Sequence, residues 1–246
     1  MQTFKAVLSA LLLLVTVRVT AQSKIVEPFS KVIVSPYIQV TFVRGDEESV
    51  TINDIKVDRD KLHIEVTNKT LRIYLEGAKD IPKNEKDYAN GHEETHPLYN
   101  NTSVVATVTY KTLDALSIRG EEEQLCESAI NNDKFTLKIY GESEVTFNEL
   151  NLQELQATIY GEGSLKIKSG SVKEQNYTCY GEGRINSLSI TGNTSHITAY
   201  GDADLKINVS DRIKIFALGD AQLHYKGNPE VVKGLHIGDL RVDRMN

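Results

Sequence analysis

The sequence predicts an all-β protein whose C-terminal half is a right-handed parallel β-helix, a β-solenoid with coils of roughly 20 residues. Two observations lead there. Glycines at positions 120, 141, 161, 181, 201 and 219 recur at separations of 21, 20, 20, 20 and 18 residues, and a fixed period of that size marks a stacked-repeat architecture. Around each glycine, apolar and polar residues alternate with period two, which is strand and not helix periodicity. The right hand follows from the usual sense of parallel crossovers.

The chain begins with "MQTFKAVLSALLLLVTVRVTAQS". Lys5 supplies a positive start, Ala6 to Val17 a short apolar run, and Val19-Thr20-Ala21 a small-residue cleavage site. Residues 1–21 therefore read as a signal peptide, with an uncleaved membrane anchor as the competing reading. No Cys stands near the site to form a lipobox. Residues 22–28 are an N-terminal lead, and 29–246 a single β-helical head domain. Within it, 29–110 is strand-rich but irregular: "KVIVSPYIQVTFVRG", "ESVTIND", "KLHIEVTN", "TLRIYLEG" and "SVVATVTY" each carry strand composition. The polar stretch Asp80 to Asn101 is expected to be an exposed loop. It contains "HEETH", His92 to His96. As a zinc-protease motif this needs both His on one helix face, but Pro97 disfavours helix at His96 and no apolar periodicity flanks it.

Residues 111–246 hold the regular coils and a C-terminal cap. The positions two before the glycines (Ile118, Ile139, Ile159, Cys179, Ala199, Ala217) and four before (Leu116, Leu137, Ala157, Tyr177, Ile197, Ile215) read as interior. So do those four after (Val145, Leu165, Ile185, Leu205, Leu223) and six after (Phe147, Ile167, Ser187, Ile207, Tyr225). One repeat cannot bury its apolar face alone, and stacking coil on coil does. The glycine sits at a corner that needs positive φ, and Ser143, Gly163, Gly183, Ala203 and Ala221, two residues on, keep that corner tight. A β-sandwich with accidental spacing is the competing fold.

Composition narrows the function. A net charge of −6 argues against nucleic acid, which calls for a basic patch. The two cysteines, Cys126 and Cys179, are too few for a disulfide framework. Two coils apart, they would be separated by roughly 10 Å, beyond the disulfide range, and Cys179, in the interior ladder, is expected to be a small buried hydrophobe. No nucleophile elbow, phosphate-binding loop or dinucleotide fingerprint occurs. Two columns stand out instead. Glu142, Glu162, Glu182, Asp202 and Asp220 follow the glycines and would align as an acidic row, either a solvated edge or a weak calcium site. Tyr140, Tyr160, Tyr180 and Tyr200 precede them with outward parity. They stack to stabilise the coils or offer a flat aromatic strip to a ligand.

With "FSKVIVSPYIQVTFVRGDEESVTI", "KTLRIYLEG" and the serial corners "GES", "GEG", "GEG", "GDA" and "GDA", the chain resembles the "putative auto-transporter adhesin, head GIN domain" family of Gram-negative envelope proteins. Family corners are typically Gly-Ser-Gly, so the match is looser here. The resemblance extends to the closing segment "KGNPEVVKGLHIGDLRV", where Ile237 directly precedes Gly238 and the register departs from the earlier coils. It implies an exported β-helical protein, in the periplasm or at the surface of a Gram-negative bacterium, that binds or adheres without catalysis. It carries no catalytic residue and no cofactor. Its expected partners are glycans or envelope proteins, and the mature chain is expected to have no transmembrane segment. A carbohydrate-active lyase or glycosidase on a β-helix and a structural envelope protein are the alternatives.

Overall fold

The computed structural model describes residues 22–80, 84–89 and 92–245; the expected signal peptide lies outside them. The first nine strands are β1 (Gln22–Ile25), β2 (Lys31–Val34), β3 (Ile38–Arg44), β4 (Ser49–Ile55), β5 (Leu62–Thr67), β6 (Thr70–Leu75), β7 (Asn84–Ala89), β8 (His92–Pro97) and β9 (Val104–Tyr110). A 3-10 turn, Arg59–Lys61, interrupts them. The regular part follows as β10 (Ala115–Gly120), β11 (Glu123–Cys126), β12 (Ile130–Gly141), β13 (Glu144–Phe147), β14 (Leu150–Gly161), β15 (Ser164–Ile167), β16 (Gly170–Gly181) and β17 (Arg184–Asn186). It ends with β18 (Thr194–Tyr200), β19 (Ala203–Asn208), β20 (Arg212–Leu218), β21 (Ala221–Lys226), β22 (Glu230–Ile237) and β23 (Leu240–Arg244).

From β10 onward each coil runs up one strand, turns at its glycine and continues into a second sheet. Even-numbered strands β10 to β22 stack in a ten-stranded sheet and odd-numbered strands β11 to β23 in an eleven-stranded one. All of these pairings are parallel, in a register that places Ile139 on Ile159 on Cys179 and Tyr140 on Tyr160 on Tyr180. The fold is therefore the expected β-solenoid.

The predicted interior is the core. Every residue named two, four and six positions from the glycines is buried except Tyr225, which packs against the core from its edge. Each fully buried Leu or Ile contributes about 1.5–3 kcal/mol. Gly161 has φ +110°, and a Cβ there would lie 2.7 Å from the carbonyl oxygen of Gly141 one coil away. Close approach of successive corners thus adds to the positive φ in demanding glycine.

Two features go beyond the glycine spacing. In the long strands the burial phase slips. Leu150 and Leu152 face inward, Gln153 and Glu154 both face outward, and Leu155, Ala157 and Ile159 face inward again. The ladder skips one residue there, so the long strands β12, β14 and β16 bend and give their coils a third side. The second feature is the reach of the stack. The irregular N-terminal part belongs to it, but out of chain order: β2 and β3 lie parallel on β10 and β11, and β6 and β9 lie parallel on β2 and β3. The corner between β2 and β3 is Ser35-Pro36-Tyr37, with Tyr37 itself at φ 70°. Beyond it the stack is covered by antiparallel strands, β4 on β9, β1 on β4 and β5 on β6.

The polar stretch at 80–101 is not wholly a loop, because β7 and β8 pair as an antiparallel hairpin. His92 to His96 thus lies in an extended strand, where residues four apart are separated by roughly 13 Å. The helical face needed for a zinc-protease motif is absent. At the other end, the register departure expected before Gly238 is a bulge opposite Ile215 and Ala217, after which His236 and Ile237 pair with Ala217 and Leu218. Cys126 and Cys179 are buried and unbridged, and burial raises both thiols, that of Cys179 to about 12.

Candidate binding surface

The Tyr column forms as a continuous ladder on the outer face of the ten-stranded sheet. Ring centroids of Tyr140, Tyr160, Tyr180 and Tyr200 are 4.8, 5.0 and 5.0 Å apart, with interplanar angles of 5°, 5° and 1°. At that spacing the rings are offset-stacked, and each inner ring has a neighbour on both faces. The ends are closed as well. The Arg119 guanidinium lies 5.6 Å from the Tyr140 centroid, and Phe216 tilts against Tyr200 at 5.7 Å. The ladder therefore presents ring edges to solvent, and the flat aromatic strip anticipated from parity is not available face-on. Tyr180 and Tyr200 are the most exposed, at 42% and 38%. Beside them Thr158, Thr178 and Thr198 stand in register two residues along the same strands.

The acidic row also forms at the corners. Glu142, Glu162, Glu182, Asp202 and Asp220 are all exposed. The two aspartates act locally: Asp202 Oδ1 accepts the backbone N–H of Asp220 at 3.4 Å, and Asp220 Oδ1 that of Asp239 at 3.0 Å. Among the described residues, no group of three or more His, Cys, Asp or Glu side chains is gathered to hold a metal ion.

Two grooves lie at the foot of the ladder, one on each side of Arg119 and Tyr140. The larger, of about 800 Å³, runs over the outer faces of β2, β10 and β12; Ala115 and Ser117 lie between Lys31, Lys134 and Lys138. The smaller, of about 500 Å³, lies between the corners and the segment after the hairpin, and is lined by Tyr37, Asp80, Tyr99, Glu121, Glu122 and Glu142 among others. Arg119 and Arg72 both pair with Asp80. Burial, then the neighbouring Arg72, lowers the Arg119 pKa.

Glu122 is the group in the smaller groove that most resembles a catalytic acid, because burial raises its carboxyl above the ordinary value. Its hydrogen bonds assign it a different job. Oε1 accepts the N–H of Tyr37 at 2.9 Å and Oε2 that of Glu121 at 3.2 Å, so the carboxyl ties one corner to the next. Two residues on, Gln124 accepts the Val40 N–H and donates to the Ile38 carbonyl, both at 2.9 Å. A third buried polar set joins Tyr177, Gln175 and Ser187. None of these roles is visible in the repeat. The one signal was that Glu122 and Gln124 occupy positions that elsewhere hold a small residue and an apolar one.

Among the described residues no helix is long and apolar enough to cross a membrane. Comparison with solved structures finds the same fold in several bacterial proteins. A putative adhesin from Bacteroides fragilis aligns with TM-score 0.73 at 18% identity, covering 92% of this chain and 96% of that one. A putative adhesin from Parabacteroides merdae gives 0.61 at 16%, over 92% and 96%. A protein of Parabacteroides distasonis described as a putative lipid binding protein gives 0.59 at 18%, over 93% and 98%. Comparison with curated proteins finds no match. Residues 28–229, which stop short of β22 and β23, match the family described as "Putative auto-transporter adhesin, head GIN domain". The solenoid, its glycine corners and this match over most of its length make the chain a member of that family.

Proposed function

We propose that the protein is an exported, non-catalytic binding module of the Gram-negative cell envelope, in the periplasm or at the surface, that engages an extended ligand along the outer face of the ten-stranded sheet. The observation that carries this reading is the continuity of the surface: the Tyr ladder and its Thr column run coil by coil into the larger groove through Arg119 and Tyr140. Such a repeating face suits a polymer, a glycan chain above all, better than a small molecule that needs an enclosed pocket. The family name and the adhesin-like neighbours support a binding role. The acidic row is proposed as a solvated edge; its use as a calcium site gains nothing from the observed geometry.

Because the ring faces are occupied by one another, the ladder would bind through its phenol edges. Replacing Tyr160 and Tyr180 together by Phe keeps the stack and removes two hydroxyls, whereas replacing both by Ala removes the stack too. Retention of the protein on immobilised envelope polysaccharide, measured beside thermal melting, separates the two roles. Weaker retention in the folded Phe variant is expected. Unchanged retention in both variants would mean that the ladder only braces the coils.

A further inference from the structure

The larger groove is a cationic depression on an acidic protein. Its lining holds Lys31, Arg119, Lys134 and Lys138 against two carboxylates, Asp114 and Asp133, while the whole chain carries −6. The depression has a simple origin. On β10 the outward residues before Arg119 are Ala115 and Ser117, and beside them in the flanking strands stand Lys31 and Ile33 below and Thr136 and Lys138 above. Short side chains in the middle coil lower the floor and leave the long ones as a rim.

The cations differ in their engagement. Lys134 pairs with Glu154 at 3.1 Å, and Arg119 pairs with Asp80. The ammonium groups of Lys31 and Lys138 have no carboxylate partner among the described residues, and both side chains are exposed. They stand two coils apart, roughly 10 Å across the stack, on opposite sides of the floor. Across Arg119, in the smaller groove, the Asp80 carboxylate is held by the guanidinium groups of both Arg72 and Arg119, so a carboxylate is an anion that these side chains accept.

We propose that this groove binds the carboxylate groups of an acidic, uronate-type polysaccharide, with Lys31 and Lys138 as its free cations and Arg119 at the junction with the Tyr ladder. This rests on the polymer-binding reading above and names the ligand class for it. A chain lying across β2, β10 and β12 meets ammonium groups on both rims and small polar side chains between them. On the far side of Arg119 the smaller groove is lined by Asp80, Glu121, Glu122 and Glu142. That side repels the same polymer and confines it to the cationic one. Attraction between exposed charges is screened over about 10 Å at 0.1 M salt, so binding weakens as salt rises.

The test is affinity electrophoresis or biolayer interferometry of the full chain against polygalacturonate, with fully methyl-esterified polygalacturonate, dextran and dextran sulfate as companion polymers. Retention by polygalacturonate, absent with its methyl ester and with dextran, is expected. Lys31→Gln with Lys138→Gln should weaken it roughly five- to tenfold, the scale of two exposed charge contacts. Lys166→Gln with Lys226→Gln makes the same change in net charge on the eleven-stranded sheet, away from the proposed face, and should leave it within about twofold. All four side chains are exposed, and melting temperatures of both variants verify folding. Equal loss in the two double variants, binding of the methyl ester as strong as that of the acid, or retention by dextran sulfate alone overturns the proposal. Retention by a neutral envelope polysaccharide that responds to the Tyr160 and Tyr180 variants but not to the lysines leaves the polymer-binding reading standing and removes only this assignment.

Discussion

The coils from β12 to β17 and the coils built by β2, β3, β6, β9, β10 and β11 obey the same stacking rule by different means. In the first group glycine corners repeat every 20 residues and the outer face is a set of columns. In the second, the corner between β2 and β3 has a proline and a left-handed tyrosine, buried Glu122 and Gln124 replace backbone pairing, and the chain enters the stack out of order. Both grooves lie where the second group meets the first. A strict repeat buries a continuous core but makes every coil's surface alike. Concavity and concentrated charge arise where the repeat is broken and other side chains must complete it.

The largest expected effect strikes the regular group at its corner. Gly161→Ala places a Cβ 2.7 Å from the Gly141 carbonyl oxygen at a φ of +110°. A non-glycine residue in such a region is strained by on the order of 1–3 kcal/mol before the clash is counted, so a total loss of about 3 kcal/mol or more is expected. Gly163, two residues on, offers the contrast. Its added Cβ would meet the Ile139 side chain at 2.7 Å with no positive φ, and overpacking of that kind costs roughly 1–2 kcal/mol. The later coils carry Ala203 and Ala221 at the same place, beside the small Ala199 and Ala217. Denaturant unfolding of the two variants checks the ranking; equal losses would mean that the corner does not require glycine's backbone freedom.

A smaller effect is expected at Tyr177, which shows how even the regular core is individually tuned. Its hydroxyl donates to Gln175 Oε1 at 3.1 Å and lies 3.0 Å from Ser187 Oγ, all within the interior. Tyr177→Phe keeps the ring and leaves the Gln175 oxygen with the Ser187 hydroxyl alone, at 3.3 Å. The expected cost is about 1–2 kcal/mol in unfolding free energy. No change would indicate that the polar set is satisfied without the phenol.

What could be read in advance follows the same division. The interior ladder, the corner glycines, the outward Tyr column and the acidic row were legible because each is a local pattern recurring at one period. The coil of β2 and β3 was not, because its partners are about 85 residues distant and its corner has no glycine: the Tyr37 N–H is bonded by Glu122 and the Val40 N–H by Gln124. The hairpin of β7 and β8 was missed because its polar, charged strands lack apolar alternation. The groove was invisible because it needs Lys31 from β2 beside Ala115 from β10 and Lys138 from β12, an adjacency set only by stacking.

The smallest effect concerns Glu122, and it sharpens the contrast through pH. In the regular corners the corresponding residues are Ser143, Gly163, Gly183, Ala203 and Ala221, none of which titrates as an acid. Burial raises the Glu122 carboxyl above its ordinary 4.5 in the folded chain, although the N–H groups of Tyr37 and Glu121 pull the other way. A raised folded pKa means that the native state holds this proton more tightly than the unfolded state. The stabilisation is complete below 4.5 and is lost as pH rises through the folded value. Glu122→Gln removes that ionisation and also one of the two acceptor contacts, because an amide nitrogen cannot accept an N–H. The variant should therefore be less stable than the parent at pH 4, and the difference should narrow toward pH 7, where the parent must bury a charge. Melting temperatures of both proteins from pH 4 to 7 measure it. A gap that stays constant or widens with pH would mean that the backbone N–H groups already compensate the buried charge, and that this corner titrates no differently from an exposed one.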